Sequence, residues 1–274
     1  MIRSSCVCRK KSLFNEYILY KNETVFKDYE GTIIGICERC KLLKTFPSKK
    51  NKKFDPSITK IQDYESRKKE FKRLFEPLVK TVQSYAPKKG SVLDVGCSSG
   101  ILLALLKSKG FNVFGIEPNK KAYLAAKRKL KKNIYHGTLR SRIVKYHKTY
   151  DCIIYNHVLE HIPDINKEFV LIRKMLKKGG TLIVGTPNTD NIIFKIRKKY
   201  WESLLPNEHV WHFNTKYLMQ YLYENKYEVV FLRFEDDERK QYPLIKKIYF
   251  NILSLLNKIF FTGEAVLIIA KKKE

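Results

Sequence analysis

The stretch SVLDVGCSSG, residues 91–100, decides how the rest of the chain is read. SVLDVG (91–96) is short and mostly apolar, as a strand buried on both faces must be. It runs straight into Gly96, Cys97, Ser98, Ser99 and Gly100, and an apolar helix is expected from Ser99 to Lys109. Glycines at 96 and 100 let backbone and ligand approach closely. The helix N-terminus behind them offers unpaired N–H groups.

Outward from this loop the alternation continues. FNVFGIE (111–117) reads as a strand, Asn119–Lys132 as a helix and NIYHG (133–137) as a short strand. YDCIIYNHV (150–158) is a fourth strand, Asp164–Leu176 a helix and TLIVGTPN (181–188) a fifth strand. A helix over Thr215–Asn225 and strands at YEVVFLRF (227–234) and AVLIIAKK (265–272) complete the series. Upstream, Ile61, Tyr64, Phe71, Phe75, Leu78, Val79 and Val82 recur at three- and four-residue steps, which predicts a helix over 60–86. The expected fold is α/β: a doubly wound, mostly parallel sheet of seven strands with helices on both faces. Ligands in such sheets bind beyond the carboxyl ends of the strands.

The second strand ends in Glu117, where an acid can accept hydrogen bonds from both hydroxyls of a ribose. No Gly-Lys-Ser/Thr follows the glycine loop, so it is not a phosphate-clamping P-loop. Asp94 would repel a pyrophosphate and suits a cationic ligand, such as an amino-acid ammonium beside a sulfonium.

Composition bounds the alternatives. With 274 residues and 44% hydrophobic content the chain can bury a sizeable core, which excludes disorder for its bulk. The net charge of +28 invites a nucleic-acid reading. That excess is mostly lysine, 43 against 12 arginines, and it is spread along the chain, with only +1 over residues 191–240. Nucleic acid is therefore not the expected partner. MIRSSCVCRKK has no apolar run of signal-peptide type, and no stretch reaches 18 uncharged apolar residues. The expected location is the cytoplasm.

DVGCSSG, GIEPN, YDCIIYNHVLEHIPD and LKKGGTLIVGTPN together resemble the class I S-adenosylmethionine-dependent methyltransferases. The resemblance covers roughly residues 65–272, and Ser98 stands where the family's loop usually has its middle glycine. It implies S-adenosylmethionine as cofactor, with Gly96, Cys97 and Gly100 around the methionine portion and Asp94 at its amino end. Glu117 would hold the ribose hydroxyls, Pro118 and Asn119 would shape the adenine side, and Gly137, Thr138 and Leu139 would bracket adenine. Asn156 and His157 would face the methionine and the methyl acceptor.

Residues 1–55 hold Cys6-x-Cys8 and Cys37-x-x-Cys40. Two such pairs can make a tetrahedral thiolate site for zinc, which a segment this short would need as a staple. The segment resembles the small zinc ribbon that opens one subgroup of these methyltransferases, found in surface-sugar and secondary-metabolite pathways. The subgroup's first pair is C-x-x-C, whereas this chain has C-x-C. The alternatives are structural zinc and a metal-free remnant. The division expected is a ribbon-like segment at 1–55 and a methyltransferase domain at 60–274.

Methyl transfer from a sulfonium needs an aligned acceptor and, for a hydroxyl, removal of one proton. Glu208, His209 and His212, in a loop after the fifth strand, suit a general base oriented by a carboxylate. His209 is the first candidate base and His212 the second; equally, both could pack the loop. His161 is expected to order the turn before the next helix, and Tyr64 and Tyr85 could close over the pocket. Residues 243–261 read as an amphipathic helix whose wide apolar face could pack on the sheet, on a homodimer partner or in a membrane interface. The expected acceptor is a small molecule or glycan, anionic or lipid-linked, methylated at a hydroxyl in surface polysaccharide synthesis. The alternatives are an RNA methyltransferase, a quinone-type O-methyltransferase and a non-catalytic ligand-binding scaffold.

Overall fold

The computed structural model describes residues 1–8, 11–20, 29–48, 68–142, 149–236 and 242–273. Ile61 and Tyr64 and the expected boundary at 55–60 lie outside the described residues.

Four N-terminal strands come first: β1 (Ile2–Ser5), β2 (Lys11–Leu19), β3 (Ile33–Cys37) and β4 (Leu43–Phe46). Then follow α1 (Lys68–Tyr85), β5 (Ser91–Val95), α2 (Ile101–Ser108), β6 (Asn112–Glu117), α3 (Lys120–Leu130), β7 (Ile134–His136) and α4 (Leu139–Arg142). The second half runs β8 (Tyr150–Asn156), α5 (Ile165–Met175), β9 (Leu176–Pro187), α6 (Ile192–Arg197), β10 (Trp211–His212) and α7 (Thr215–Glu224). It ends with β11 (Tyr227–Glu235), α8 (Leu244–Ile259) and β12 (Ala265–Lys272).

The main sheet has seven strands in the order β11-β12-β9-β8-β5-β6-β7. β5 pairs in parallel with both β6 and β8, and β8 with β9, whereas β12 is antiparallel to β9 and β11. The chain winds outward from β5 to β7, then returns to β8 on the other side. That reversal opens a crevice at the carboxyl ends of β5 and β8, where this architecture takes its ligands.

Alternate strand residues feed the two faces. Val92, Ile154, Ile183 and Ile269 pack under α1 and α2 with Leu78, Val82, Leu103 and Leu106. Leu93, Ile153, Tyr155 and Leu182 face Phe169 and Ile172 of α5 and Tyr221 of α7.

The N-terminal segment contributes four strands to a five-stranded antiparallel sheet, β1-β2-β3-β4-β10. β2 shifts register between Glu16 and Ile18, so Phe14 and Ile18, although an even number of residues apart, feed different core clusters. The fifth strand comes from far along the chain: Trp211 and His212 pair with Lys44 and Leu43. Cys6, Val7, Phe14 and Leu42 share one core cluster with Leu93, Trp211 and Phe213. The two sheets therefore fold around continuous apolar packing. Trp211 also covers Lys44, whose Nζ lies 4.8 Å from the indole ring and donates to Ser4 Oγ at 2.9 Å.

Candidate active site

A cleft of about 340 Å3 opens at the crevice between β5 and β8. Gly96, Glu117, Pro118, Asn119, Gly137, Thr138, Leu139 and His157 all line it, together with Ser98, Arg140, Val158, His161 and Glu168. One wall is the glycine loop. Gly96 has φ +74°, and a Cβ there would stand 2.5 Å from Val158 Cγ2, so the loop's approach to the opposite wall requires glycine. Ser98, at the position where the middle glycine was expected, also adopts a left-handed conformation with φ 47°.

Glu117 is held by its own loop and the glycine loop together. Its Oε2 accepts from Ser98 N–H at 2.8 Å and its Oε1 from Asn119 N–H at 2.7 Å. Burial raises its pKa, and the two N–H donors counter that by favouring the carboxylate. A carboxylate fixed through both oxygens at a cleft wall is ready to accept from a vicinal diol. Asn119 turns away to cap α3, its Oδ1 accepting from Lys121 and Ala122 N–H. On the adenine side, Gly137 N–H bonds Glu117 O at 3.0 Å, bringing the 137–139 turn under Glu117.

Four of the expected cofactor residues stand behind the cleft lining. Asp94 is buried, and burial with the neighbouring Glu117 charge pushes its pKa up to about 8. Its carboxyl is thus largely protonated at neutral pH until a cation arrives to favour the charged form. Cys97 packs inward against Gly115, where a Cβ would come within 2.6 Å of its Sγ. Gly100 serves helix packing: a Cβ there would meet Leu130 and Ala126 of α3 at 3.0 and 3.1 Å. Asn156 lies against Gly185 of β9.

At the other end of the cleft, the chain turns after β8 through His157, which has φ 55° and donates its N–H to Gly185 O at 2.8 Å. That turn brings His157, Glu160 and His161 together. His157 Nδ1 is 3.5 Å from Glu160 Oε1, and Thr186 Oγ1 donates to Glu160 Oε2 at 3.2 Å. Burial alone would raise Glu160, yet the His157 contact and the charges that His161, His157 and His209 can carry hold it at about 2. It is a buried, ionised carboxylate behind two cleft histidines. His161 Nδ1 lies 2.7 Å from Glu208 O; a carbonyl only accepts, so Nδ1 carries the proton and neutral His161 keeps its lone pair on Nε2.

The loop histidines expected to act as bases occupy other places. His209 is buried behind His161, edge-on with ring centres 4.7 Å apart, and burial lowers its pKa to about 4. His212 is buried in β10 with its Nε2 2.8 Å from Thr45 Oγ1, and burial lowers it to about 3. Glu208 contributes its backbone carbonyl to His161. None of the three lines the cleft. The loop packs and orients the cluster, while the cleft-facing histidines come from the turn after β8. Glu160, His161 and His209 also place one donor atom each within 4.8 Å of one another, an arrangement able to hold a divalent cation.

Two charged cleft residues, Glu168 and Arg140, were not read from the sequence, nor was Glu160 behind the lining. Glu160 and His161 had a readable signal in the HVLEH run at the carboxyl end of a central strand. Glu168 had none, because an acid in the first turn of α5 reads as ordinary helix charge; here it accepts from Tyr155 OH at 2.7 Å. Tyr85 lies at the end of α1 beside Phe231, ring centres 6.0 Å apart, and takes no part in the cleft lining.

Outside the cleft lining, Cys6, Cys8, Cys37 and Cys40 bring their four sulfurs within 4.8 Å of one another. The Cys37–Cys40 pair sits on a tight turn in which Lys41 N–H bonds Cys37 O at 3.0 Å. Cys6 and Cys40 sulfurs are 3.4 Å apart. Their hydrogen bond raises Cys6 and lowers Cys40. With zinc–sulfur bonds of about 2.3 Å, a tetrahedron has edges of roughly 3.8 Å. The donor set fits zinc.

The chain matches the model of a methyltransferase domain family over residues 65–232. Among curated relatives, the ubiquinone biosynthesis O-methyltransferase of Pelagibacter ubique is 33% identical over 104 residues, covering 37% of this chain and 43% of that protein. The human mitochondrial ubiquinone biosynthesis O-methyltransferase is 27% identical over 150 residues, covering 49% and 41%. The chain thus spans less than half the length of these relatives. Among solved structures, a SAM-dependent methyltransferase from Archaeoglobus fulgidus superposes with a TM-score of 0.57 at 19% identity, covering 77% of this chain and all of that one. One from Listeria monocytogenes gives 0.53 at 17% identity over 71% and 97%. With the switch-point cleft, the glycine loop and the doubly held Glu117, these matches place the chain in the family of class I S-adenosylmethionine-dependent methyltransferases.

Proposed function

We propose that the protein methylates a ring hydroxyl of a small, quinone-type acceptor, with His161 as general base and Glu160 as the carboxylate behind it. The observation that carries this reading is the buried, ionised Glu160 beside two histidines at the cleft wall. S-adenosylmethionine, held by the glycine loop and Glu117, supplies an activated methyl group. His161 Nε2 would take the hydroxyl proton as the oxygen–methyl bond forms and the sulfur–methyl bond breaks to release S-adenosylhomocysteine, and Glu160 would stabilise the resulting imidazolium. Val158, Ile162 and Pro163 line the cleft around His161, an apolar wall that suits a flat aromatic ring better than a sugar.

The curated relatives support the same choice, since those named here act in ubiquinone biosynthesis as O-methyltransferases. The glycan acceptor expected from the sequence becomes the second reading. The cysteine cluster we assign to structural zinc; four thiolates would fill its coordination and leave no position for chemistry.

Incubation with S-adenosylmethionine and either a catechol or a nucleotide sugar, read by product mass, tests the acceptor class. Methylated catechol is expected. Methylation of the sugar with none of the catechol would overturn the quinone-type reading.

A further inference from the structure

Helix α8 is apolar on two opposite faces. Its inner face buries Phe250, Leu253 and Asn257. Polar contacts fix that face as firmly as packing does. Asn257 Oδ1 accepts from Ile192 N–H and its Nδ2 donates to Asp236 Oδ1, both at 2.8 Å, while Ser254 Oγ donates to the other Asp236 oxygen. Arg197 of α6 lies 5.1 Å from the Phe250 ring. Rolling the helix to hide its other face would break all of these.

That other face consists of Leu244, Ile245, Ile248, Ile252, Leu255 and Ile259, each more than half exposed. At about 100° per residue the six fall within an arc of roughly 100°, opposite the inner face. Phe260 and Phe261 extend it, 64% and 86% exposed. Lys247, Asn251 and Lys258 form a polar stripe along one flank, and no acid occurs between residues 242 and 263. Soluble surfaces rarely leave so continuous an apolar stripe uncovered.

We propose that α8 lies in the interface of an anionic lipid bilayer, with its outer face among the upper acyl chains and Lys247 and Lys258 reaching headgroup phosphates. Charge decides between this and a second copy of the chain. A two-fold pairing would set the lysine stripe near its own image, with no acid in the segment to pair with it. Anionic headgroups supply the missing charge. The helix is about 24 Å long, and no helix among the described residues is long and apolar enough to cross a membrane. It therefore lies in the plane. α8 connects β11 to β12 at the edge where Ala265 pairs with Pro187, the same edge of the sheet that carries the cleft. The inference is independent of which acceptor the cleft takes.

Co-sedimentation of the full chain with vesicles of phosphatidylcholine, alone or mixed with phosphatidylglycerol, tests it. The protein should pellet with the mixed vesicles and far less with phosphatidylcholine alone. Ile248→Ser with Ile252→Ser, and separately Lys247→Gln with Lys258→Gln, should each weaken binding on the order of tenfold. Thermal melting and S-adenosylhomocysteine binding should stay as in the parent chain, because none of these side chains belongs to the inner face. Protein left in the supernatant, or pelleting untouched by either pair of substitutions, would overturn the proposal. So would a dimer, seen by sedimentation equilibrium, that the isoleucine substitutions dissolve while vesicles bind nothing.

Discussion

Thr45 Oγ1 and His212 Nε2 lie 2.8 Å apart although 167 residues separate them in the chain. The contact is buried on both sides and crosses the β4–β10 pairing, so it ties the N-terminal sheet to the loop that backs His161 and Glu160. Thr45→Val keeps the shape and leaves a buried imidazole nitrogen unpaired, which should cost about 1–3 kcal/mol in urea unfolding. Thr45→Ser should recover most of it.

Acid should find the same histidine. His212 has a folded pKa of about 3, set by burial, against an ordinary 6.5. A depressed histidine pKa means that its share of stability is complete above pH 6.5 and is lost as pH falls below that value. Relative to His212→Gln, which cannot titrate, the parent chain should lose about 1.4 kcal/mol for each pH unit below 6.5. Urea midpoints of the two chains measured from pH 7.5 to 5 give the comparison; parallel curves would show that His212 does not stay neutral in the fold.

Metal analysis of the purified chain should find one zinc per molecule. Chelation should loosen the N-terminal sheet first, since Cys6 and Cys37 are part of its core cluster. Hydrogen exchange should then rise in β1 to β4 before β5 to β9. A zinc content far below one would remove the assignment.

Substitution of the base should separate chemistry from binding. His161→Ala should lower kcat by about 10²–10⁴ while leaving S-adenosylhomocysteine affinity within a few-fold. Glu160→Gln should do the same with a smaller loss, because the imidazole remains but its charge is no longer offset. His209→Ala, by contrast, should act chiefly on stability, through the cavity left behind His161.

The main sheet was legible because its first five strands are apolar runs closed by glycine, asparagine or proline, and because buried parallel strands tolerate little else. SVLDVG, FNVFGIE and YDCIIYNHV all appear as strands within a residue or two of where they were expected. β9 is longer than its expected 181–188 because LKKGG continues the strand from Leu176. The N-terminal sheet was hidden by the register shift at Glu16–Ile18 and by its borrowed strand, two residues that no periodicity can reveal. At the cleft, Glu117 was readable from its position at a strand end. The base we propose was not, because His209 and His161 differ in access rather than in type. Only the fold shows that Glu208 O orients one and that burial silences the other.

All that is proposed for the cleft depends on S-adenosylmethionine binding through Glu117. Isothermal titration of the full chain with S-adenosylhomocysteine tests it most directly. We predict one site per chain, with affinity reduced at least tenfold by Glu117→Ala and abolished by Gly96→Val, whose side chain would fill the space against Val158. No heat of binding from a folded parent chain, or binding indifferent to both substitutions, would contradict the account.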